Sequence, residues 1–236
     1  MKPNTLFLAA ALLASSSAFA VSITPTVSYS AGTTLNTSAL STFTTSGAQM
    51  AGTSVTAYFN GGTSETISWL AGAGTAGAAT GTGWSLGFAG STTFSPSWEF
   101  LTSSGLIGLI TRLVIDGRPG DTIFDTILDP ETSPGSARGT AFSSVDGPEG
   151  LAVAATYTNQ VAVGGIVYGD LYTVLDISFL SPTGAVGGLG ADSRLLFTAD
   201  TDNTLIAGDI TTIPEPGTIA LLGLGLIGLA LKRRRN

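Results

Sequence analysis

Residues 171–180, with the sequence LYTVLDISFL, give the clearest strand signal in the chain. In an extended strand, alternate side chains point to opposite faces. One face of this stretch holds Leu171, Thr173, Leu175, Ile177 and Phe179. The opposite face holds Tyr172, Val174, Asp176 and Ser178. The alternation therefore predicts a strand that buries its first face in a core.

Similar short runs rich in β-branched and aromatic residues recur on both sides of this strand. They lie at residues 53–59, 65–70, 84–88, 106–115, 122–128, 151–158, 161–168, 194–198 and 205–210. Turn-forming sequences separate them, at residues 60–62, 116–120, 146–148 and 187–188. The best helical alternative, residues 103–113, contains two glycines and several β-branched residues, which disfavour a helix. We therefore expect an all-β ectodomain, an antiparallel β-sandwich or jelly roll.

Two further regions are weakly patterned. Residues 71–83 (AGAGTAGAATGTG) are of low complexity, which predicts a mobile surface loop. Residues 21–51 are rich in Thr and Ser, which favours edge strands or an extended lead-in to the domain.

Composition excludes several classes of function. The chain has no cysteine and no histidine, so a disulfide framework, a thiol nucleophile and a Ser-His-Asp triad are all excluded. Between residues 21 and 213, four arginines stand against 15 acidic residues. Such an acidic domain would repel a phosphate backbone, so we expect no nucleic-acid partner.

The N-terminus has the three parts of a secretory signal peptide. Lys2 supplies the positive charge, residues 6–14 form a short apolar run, and Ala18-Phe19-Ala20 is an A-x-A cleavage site. We expect signal peptidase to cut after Ala20. The alternative, a buried N-terminal helix, does not account for the charge and the small residues together.

The C-terminus has three parts in a fixed order. Pro214-Glu215-Pro216 is followed by the uncharged apolar residues 217–231, and then by Lys232, Arg233, Arg234 and Arg235. An apolar helix with a basic cytoplasmic flank is the pattern of a stop-transfer anchor. Its 15 residues are somewhat short for a bilayer core of about 30 Å, as suits a temporary span.

This tail resembles the PEP-CTERM sorting signal, in which a Pro-Glu-Pro motif, an apolar helix and an arginine cluster follow one another. The resemblance covers roughly the last 23 residues, and the signal peptide agrees with it. It implies a Gram-negative, exopolysaccharide-producing host. It also implies processing by an exosortase, a membrane-embedded enzyme that cuts near Pro214-Glu215-Pro216 and releases the ectodomain. The expected domains are a signal peptide (1–20), a β-rich extracellular domain (21–210), a linker (211–216), a transmembrane helix (217–231) and a cytoplasmic tail (232–236).

The best candidate metal ligands are Asp200, Asp202 and Asp209, with Asp192 and Asn203 nearby in sequence. Closely spaced carboxylates on a loop could supply the oxygen ligands that Ca²⁺ requires. The competing interpretation, which we favour, is an acidic turn whose side chains bond the local backbone. No other cofactor is expected.

Two further groups of residues could carry chemistry. A second acidic stretch holds Asp116, Asp121, Asp125, Asp129 and Glu131, and a carboxylate pair is what a glycoside hydrolase needs. Solvated turns explain that stretch more simply. Trp69, Trp84 and Trp98 could stack on sugars, although core positions are the commoner use of tryptophan.

Three functions therefore remain open. The first, which we favour, is a non-catalytic structural protein of the cell surface or extracellular matrix, associated with exopolysaccharide or biofilm. The second is a carbohydrate- or calcium-binding surface module. The third is a secreted hydrolase that uses carboxylates. In each case we expect an exported protein that is first anchored in the inner membrane.

Overall fold

The computed structural model of the protein describes residues 25–41, 44–126 and 139–212. Within these ranges the chain forms a ten-stranded main sheet and a six-stranded second sheet, with 3₁₀ helices at Gly47–Met50 and Arg118–Gly120. Numbered in chain order, the main-sheet strands are β1 (Thr26–Tyr29), β2 (Leu35–Thr37), β3 (Ser54–Phe59), β4 (Ser64–Ser68), β9 (Ile110–Asp116), β10 (Thr122–Asp125), β12 (Ala152–Val163), β13 (Ile166–Leu180), β15 (Asp200–Asn203) and β16 (Thr211–Thr212). The second-sheet strands are β5 (Leu70–Ala71), β6 (Ala76–Gly81), β7 (Trp84–Ala89), β8 (Trp98–Thr102), β11 (Ser143–Asp146) and β14 (Arg194–Thr198). The all-β prediction is confirmed.

The hairpin of β12 and β13 contains the two longest strands and lies at the centre of the main sheet. Its turn uses Gly164 and Gly165 at φ values of 59° and 83°, a region in which a side chain would be strained. The C-terminal half of β13 pairs with β9, which continues through β3 to β4. The N-terminal half pairs with β10, which carries β15. A single long strand thus joins two branches of the sheet.

The alternation predicted for residues 171–180 is confirmed in the second half of that stretch. Leu175, Ile177 and Phe179 are fully buried in the main core, while the residues between them are partly exposed. Towards the start of the stretch both faces are buried, and the predicted faces of two residues are exchanged: Tyr172 packs in the main core, whereas Leu171 does not. A second, smaller cluster covers the outer face there, formed by Leu35, Leu40, Ile123, Val161, Val163 and Leu171.

The sheet is mixed, whereas the sequence predicted antiparallel pairing throughout. β1 and β2 both run parallel to β12, along the edge of β12 that β13 leaves open. Well over one hundred residues separate these partners in sequence, so no local turn sets their direction. The expectation that residues 21–51 contain edge strands is met by β1, which pairs with β12 alone.

Two local predictions are wrong. Much of the supposed loop at residues 71–83 is β6, in which the buried Gly77 passes so close to the first 3₁₀ helix that a Cβ would overlap the Gly47 carbonyl oxygen and Trp69 Nε1. Small residues here serve close packing instead of mobility. Residues 205–210 contain no strand, because Leu205 and Ile206 point to solvent, 60% and 56% exposed.

One core joins the two sheets. It includes Val55 and Ile115 from the main sheet and Leu86 and Leu195 from the second. The rings of Phe100 in β8 and Phe179 in β13 stack across it, with 6.0 Å between their centroids. Trp69, Trp84 and Trp98 lie in the same core, at most 3% exposed, so they are structural and cannot stack on an external sugar.

The predicted terminal helices lie outside the described residues, as do the signal cleavage residues Ala18 and Ala20. The same is true of Pro214-Glu215-Pro216, of the span 217–231 and of the basic cluster 232–235. Within the part of the chain that is described, no helix has the length and apolar character needed to cross a membrane.

Candidate functional site

Asp200 and Asp202 lie on strand β15, where the sequence predicted a loop or turn. β15 pairs with β10 along its whole length, and the two carboxylates are only 3% and 1% exposed. The Thr93 hydroxyl donates a hydrogen bond to Asp200 Oδ1 at 2.7 Å. Burial raises the pKa of Asp200 to about 7, and the neighbouring Asp125 adds to the rise. Asp200 is therefore poised to change charge near neutral pH.

Asp209 is used differently from Asp200 and Asp202. Its Oδ2 accepts hydrogen bonds from the Ser38 backbone N–H (2.7 Å), the Ser38 hydroxyl (2.6 Å) and the Thr37 hydroxyl (2.9 Å). The hydrogen bonds from Ser38, together with that from Thr37, lower the pKa of Asp209. Asp209 thus binds the β2 region as an ionised acceptor.

The three candidate calcium ligands are therefore not brought together as a set. Across residues 25–41, 44–126 and 139–212, no group of three or more acidic side chains has the arrangement of a metal site. The calcium interpretation of Asp200, Asp202 and Asp209 stays a prediction from sequence.

The second acidic stretch is distributed over local contacts. Asp116 forms an ion pair with Arg118, and Asp121 Oδ1 accepts a hydrogen bond from the Gly208 N–H at 2.7 Å. Asp125 is buried beside β15. Asp129 and Glu131 lie outside the described residues. Asp116 and Asp121, which are both partly buried, thus serve a turn and the attachment of residue 208.

The last described residues form a continuous attachment to the start of the domain. We call residues 203–212 the exit segment and residues 35–41 the N-terminal edge. The N–H of Ser41 donates to the Asn203 carbonyl oxygen at 2.8 Å, and the N–H of Leu205 donates to the Ala39 carbonyl oxygen at 2.9 Å. Asp209 then holds residues 37 and 38, and β16 pairs with β2. The two segments run antiparallel, with backbone contacts at both ends and the Asp209 side chain joining them in between.

The end of this attachment coincides with a known signal. Residues 212–235 match the protein-family profile described as the PEP-CTERM protein-sorting motif. The chain carries a PEP-CTERM sorting motif. The match includes Pro214-Glu215-Pro216 and the basic cluster 232–235, so the resemblance seen in the sequence is confirmed. Searches of curated proteins and of solved structures found no match to the chain.

The PEP-CTERM motif indicates an exported protein that an exosortase processes after membrane anchoring. Thr212 is both the first matched residue and the last residue of β16, so the motif begins inside the main sheet. The first two residues of the predicted linker 211–216 accordingly form a strand. Sequence reasoning found the motif but missed its anchor on Thr37 and Ser38, because no local pattern links residues about 170 positions apart.

Proposed function

We propose that the protein is a non-catalytic structural component of the cell surface or extracellular matrix, delivered by its PEP-CTERM tail. Signal peptidase removes residues 1–20, residues 217–231 hold the chain in the inner membrane, and an exosortase then cuts near Pro214-Glu215-Pro216. The single observation that carries this proposal is the sorting motif at residues 212–235.

The composition of the ectodomain and the pairing of its arginines both support a structural role. A non-catalytic role agrees with a sequence that lacks histidine and cysteine, the usual general base and the most reactive nucleophile. Of the four arginines between residues 21 and 213, Arg112, Arg118 and Arg194 form ion pairs with acidic neighbours.

The outer face of the main sheet supports association with a neutral polysaccharide. Hydroxyl side chains line this face in cross-strand rows, at Ser28, Ser54, Thr56, Ser64, Thr66, Ser68, Thr156 and Ser178. Hydroxyl groups both donate and accept hydrogen bonds, as sugar hydroxyls require. The face carries the ion pair of Arg112 with Asp176, which leaves little net charge at its centre. We infer that this face of the main sheet contacts exopolysaccharide.

The sorting part of the proposal is tested by the intact mass of the protein from its native cells, after separation of inner membrane, outer membrane and medium. We expect a species that begins at Val21, ends near Pro214-Glu215-Pro216 and lies outside the inner membrane. The variant Pro214→Ala/Glu215→Ala/Pro216→Ala should remain uncut, while the surface control Thr183→Ala should be cut normally. A wild-type species that still ends at Asn236 in the inner membrane would make the tail a permanent anchor and overturn the proposal.

The matrix part is tested separately, by co-sedimentation of the purified ectodomain with polysaccharide isolated from the same cells. Replacing the cross-strand pair Thr56 and Thr66 by valine should weaken co-sedimentation, because two paired hydroxyls are lost. The matched control is Thr80→Val/Ser85→Ala, a cross-strand pair on the second sheet. Equal retention of both double variants would argue against the hydroxyl-lined face as the contact surface.

A further inference from the structure

The sorting motif begins directly at the last strand of the domain, with no long linker between them. Thr212, its first residue, is paired with Leu35 in the sheet, and only Ile213 separates it from Pro214. Leu35 is 3% exposed and packs in the second cluster, while β2 itself pairs with β12. The strand that receives β16 is therefore a fixed part of the domain.

The pairing of β16 with β2 is much weaker than the pairing that holds β2 in the domain. β16 has two residues, both exposed, and pairs with β2 at two positions. Just before it, the Asp209 carboxylate takes three hydrogen bonds from Thr37 and Ser38, of which Thr37 is fully buried. Between Asp209 and β16, Ile210 is partly buried against the second cluster. A short exposed strand held by one carboxylate and one partly buried side chain is the kind of element that opens locally while the rest stays folded.

Processing enzymes bind a cleavage segment as an extended chain that satisfies its backbone groups against the enzyme. In a segment that is still paired with β2, some backbone groups are already hydrogen-bonded to β2 and cannot also pair with the enzyme. The segment also lies against the rest of the domain. Cutting within folded structure requires local opening first.

We propose that β16 and Asp209 form a strap that holds the start of the sorting segment against β2. The strap must detach before the processing enzyme can cut. This inference rests on the proposed function, since it concerns the same exosortase step. It adds that the folded ectodomain, and not the motif alone, sets the rate of release.

The decisive experiment locks the strap with a disulfide in Asn36→Cys/Thr211→Cys. These residues are direct cross-strand partners, whose Cα atoms lie about 4.5–5.5 Å apart in antiparallel pairs, within disulfide range. The chain has no native cysteine, so no other pairing competes. We expect the oxidised full-length chain to remain uncut, with its tail still attached and in the membrane. A reductant should restore cutting. The single variants and a remote lock, Thr56→Cys/Thr66→Cys in β3 and β4, should be cut like the wild type.

The opposite change loosens the strap. Asp209→Ala should speed the appearance of the processed form in a pulse–chase experiment. The melting temperature should change little, because the Asp209 side chain belongs to neither hydrophobic cluster and Ile210 keeps its contact with the second one. Ser38→Ala should act in the same direction, since it removes one of the donors to Asp209. Glu149→Ala, which also deletes one exposed carboxylate, is the control and should not alter the rate.

The outcomes separate the two proposals. If the wild-type tail is never cut, both the exosortase assignment and the strap are overturned. If the wild type is cut and the oxidised Asn36→Cys/Thr211→Cys chain is cut at the same rate, the strap alone is overturned. If the locked chain is spared and Asp209→Ala is accelerated, the strap is supported.

Discussion

Two glycines on neighbouring strands of the second sheet have opposite roles at the scale of single residues. At Gly77 in β6, a Cβ would overlap the Gly47 carbonyl oxygen, whereas at Gly87 in β7 the nearest atoms are 3.8 and 3.9 Å away. Neither has a positive φ. We expect Gly77→Ala to lower the free energy of unfolding by about 1–3 kcal/mol through overpacking. Gly87→Ala should raise it by about 0.5–1 kcal/mol, because it restricts the unfolded chain.

Urea unfolding of both variants beside the wild type measures this contrast directly. Each substitution adds the same methyl group, so each is the control for the other. Equal destabilisation by the two would mean that strand position, and not the contact of Gly77 with Gly47, decides the effect.

Asp200 should make stability depend on pH between about 4 and 7. Its pKa is about 7 in the folded protein, against about 4 in an unfolded chain, so the folded state holds the proton more tightly. The contribution of Asp200 is therefore present below pH 4 and is lost as pH rises to about 7. Asp200→Asn stays neutral and keeps an acceptor for Thr93, so it should remove this decline.

The measurement compares melting temperatures at pH 5 and pH 8. The wild type should lose more stability than Asp200→Asn over this interval, and Glu149→Gln should behave like the wild type because its carboxylate is exposed. An unchanged pH slope in Asp200→Asn would show that Asp200 does not titrate in this window.

At the scale of strands, alternation predicted those elements that bury one face. β7 and β14 follow the sequence pattern closely, as does the second half of β13. The sequence missed β6 because Ala and Gly carry no alternation, and the burial of Gly77 depends on contacts with Gly47 and Trp69, which lie outside the strand. The sequence also missed β15, because Asp-Thr-Asp-Asn has the composition of a turn. In the structure, pairing with β10 buries this segment. Tertiary context overrode composition in both strands.

The ion pair between Arg112 of β9 and Asp176 of β13 tests how much a cross-strand contact adds to sheet pairing. The guanidinium donates two hydrogen bonds to the carboxylate and lies 4.8 Å from the Tyr58 ring centroid. Arg112 is 43% exposed, so solvent screens the pair. A double-mutant cycle of Arg112→Ala and Asp176→Ala should give a coupling energy of about 0.5–1 kcal/mol. A coupling above about 2 kcal/mol would instead class the pair with buried ion pairs.

At the scale of the whole molecule, the sequence predicted the C-terminal sorting motif better than the centre of the chain. The sorting motif is contiguous, so its order of Pro-Glu-Pro, apolar residues and arginines can be read directly, and the match to residues 212–235 confirms the motif. The strap depends instead on Asp209 meeting Ser38, a contact created by the fold alone. The mixed sheet was equally hidden, because β1 and β12 are joined only through long-range pairing.

Because one core spans both sheets, the ectodomain should unfold in a single transition. The tryptophans Trp84 and Trp98 report on the second sheet, while amide exchange in β12 and β13 reports on the main sheet. Phe179→Ala removes the main-sheet partner of the Phe100 ring and should cost about 3–5 kcal/mol. Its effect should appear equally in both probes, since neither sheet can bury its apolar face without the other. If tryptophan fluorescence kept its wild-type midpoint while exchange in β13 accelerated, the sheets would be separate folding units. The strap would then be attached to only one of them.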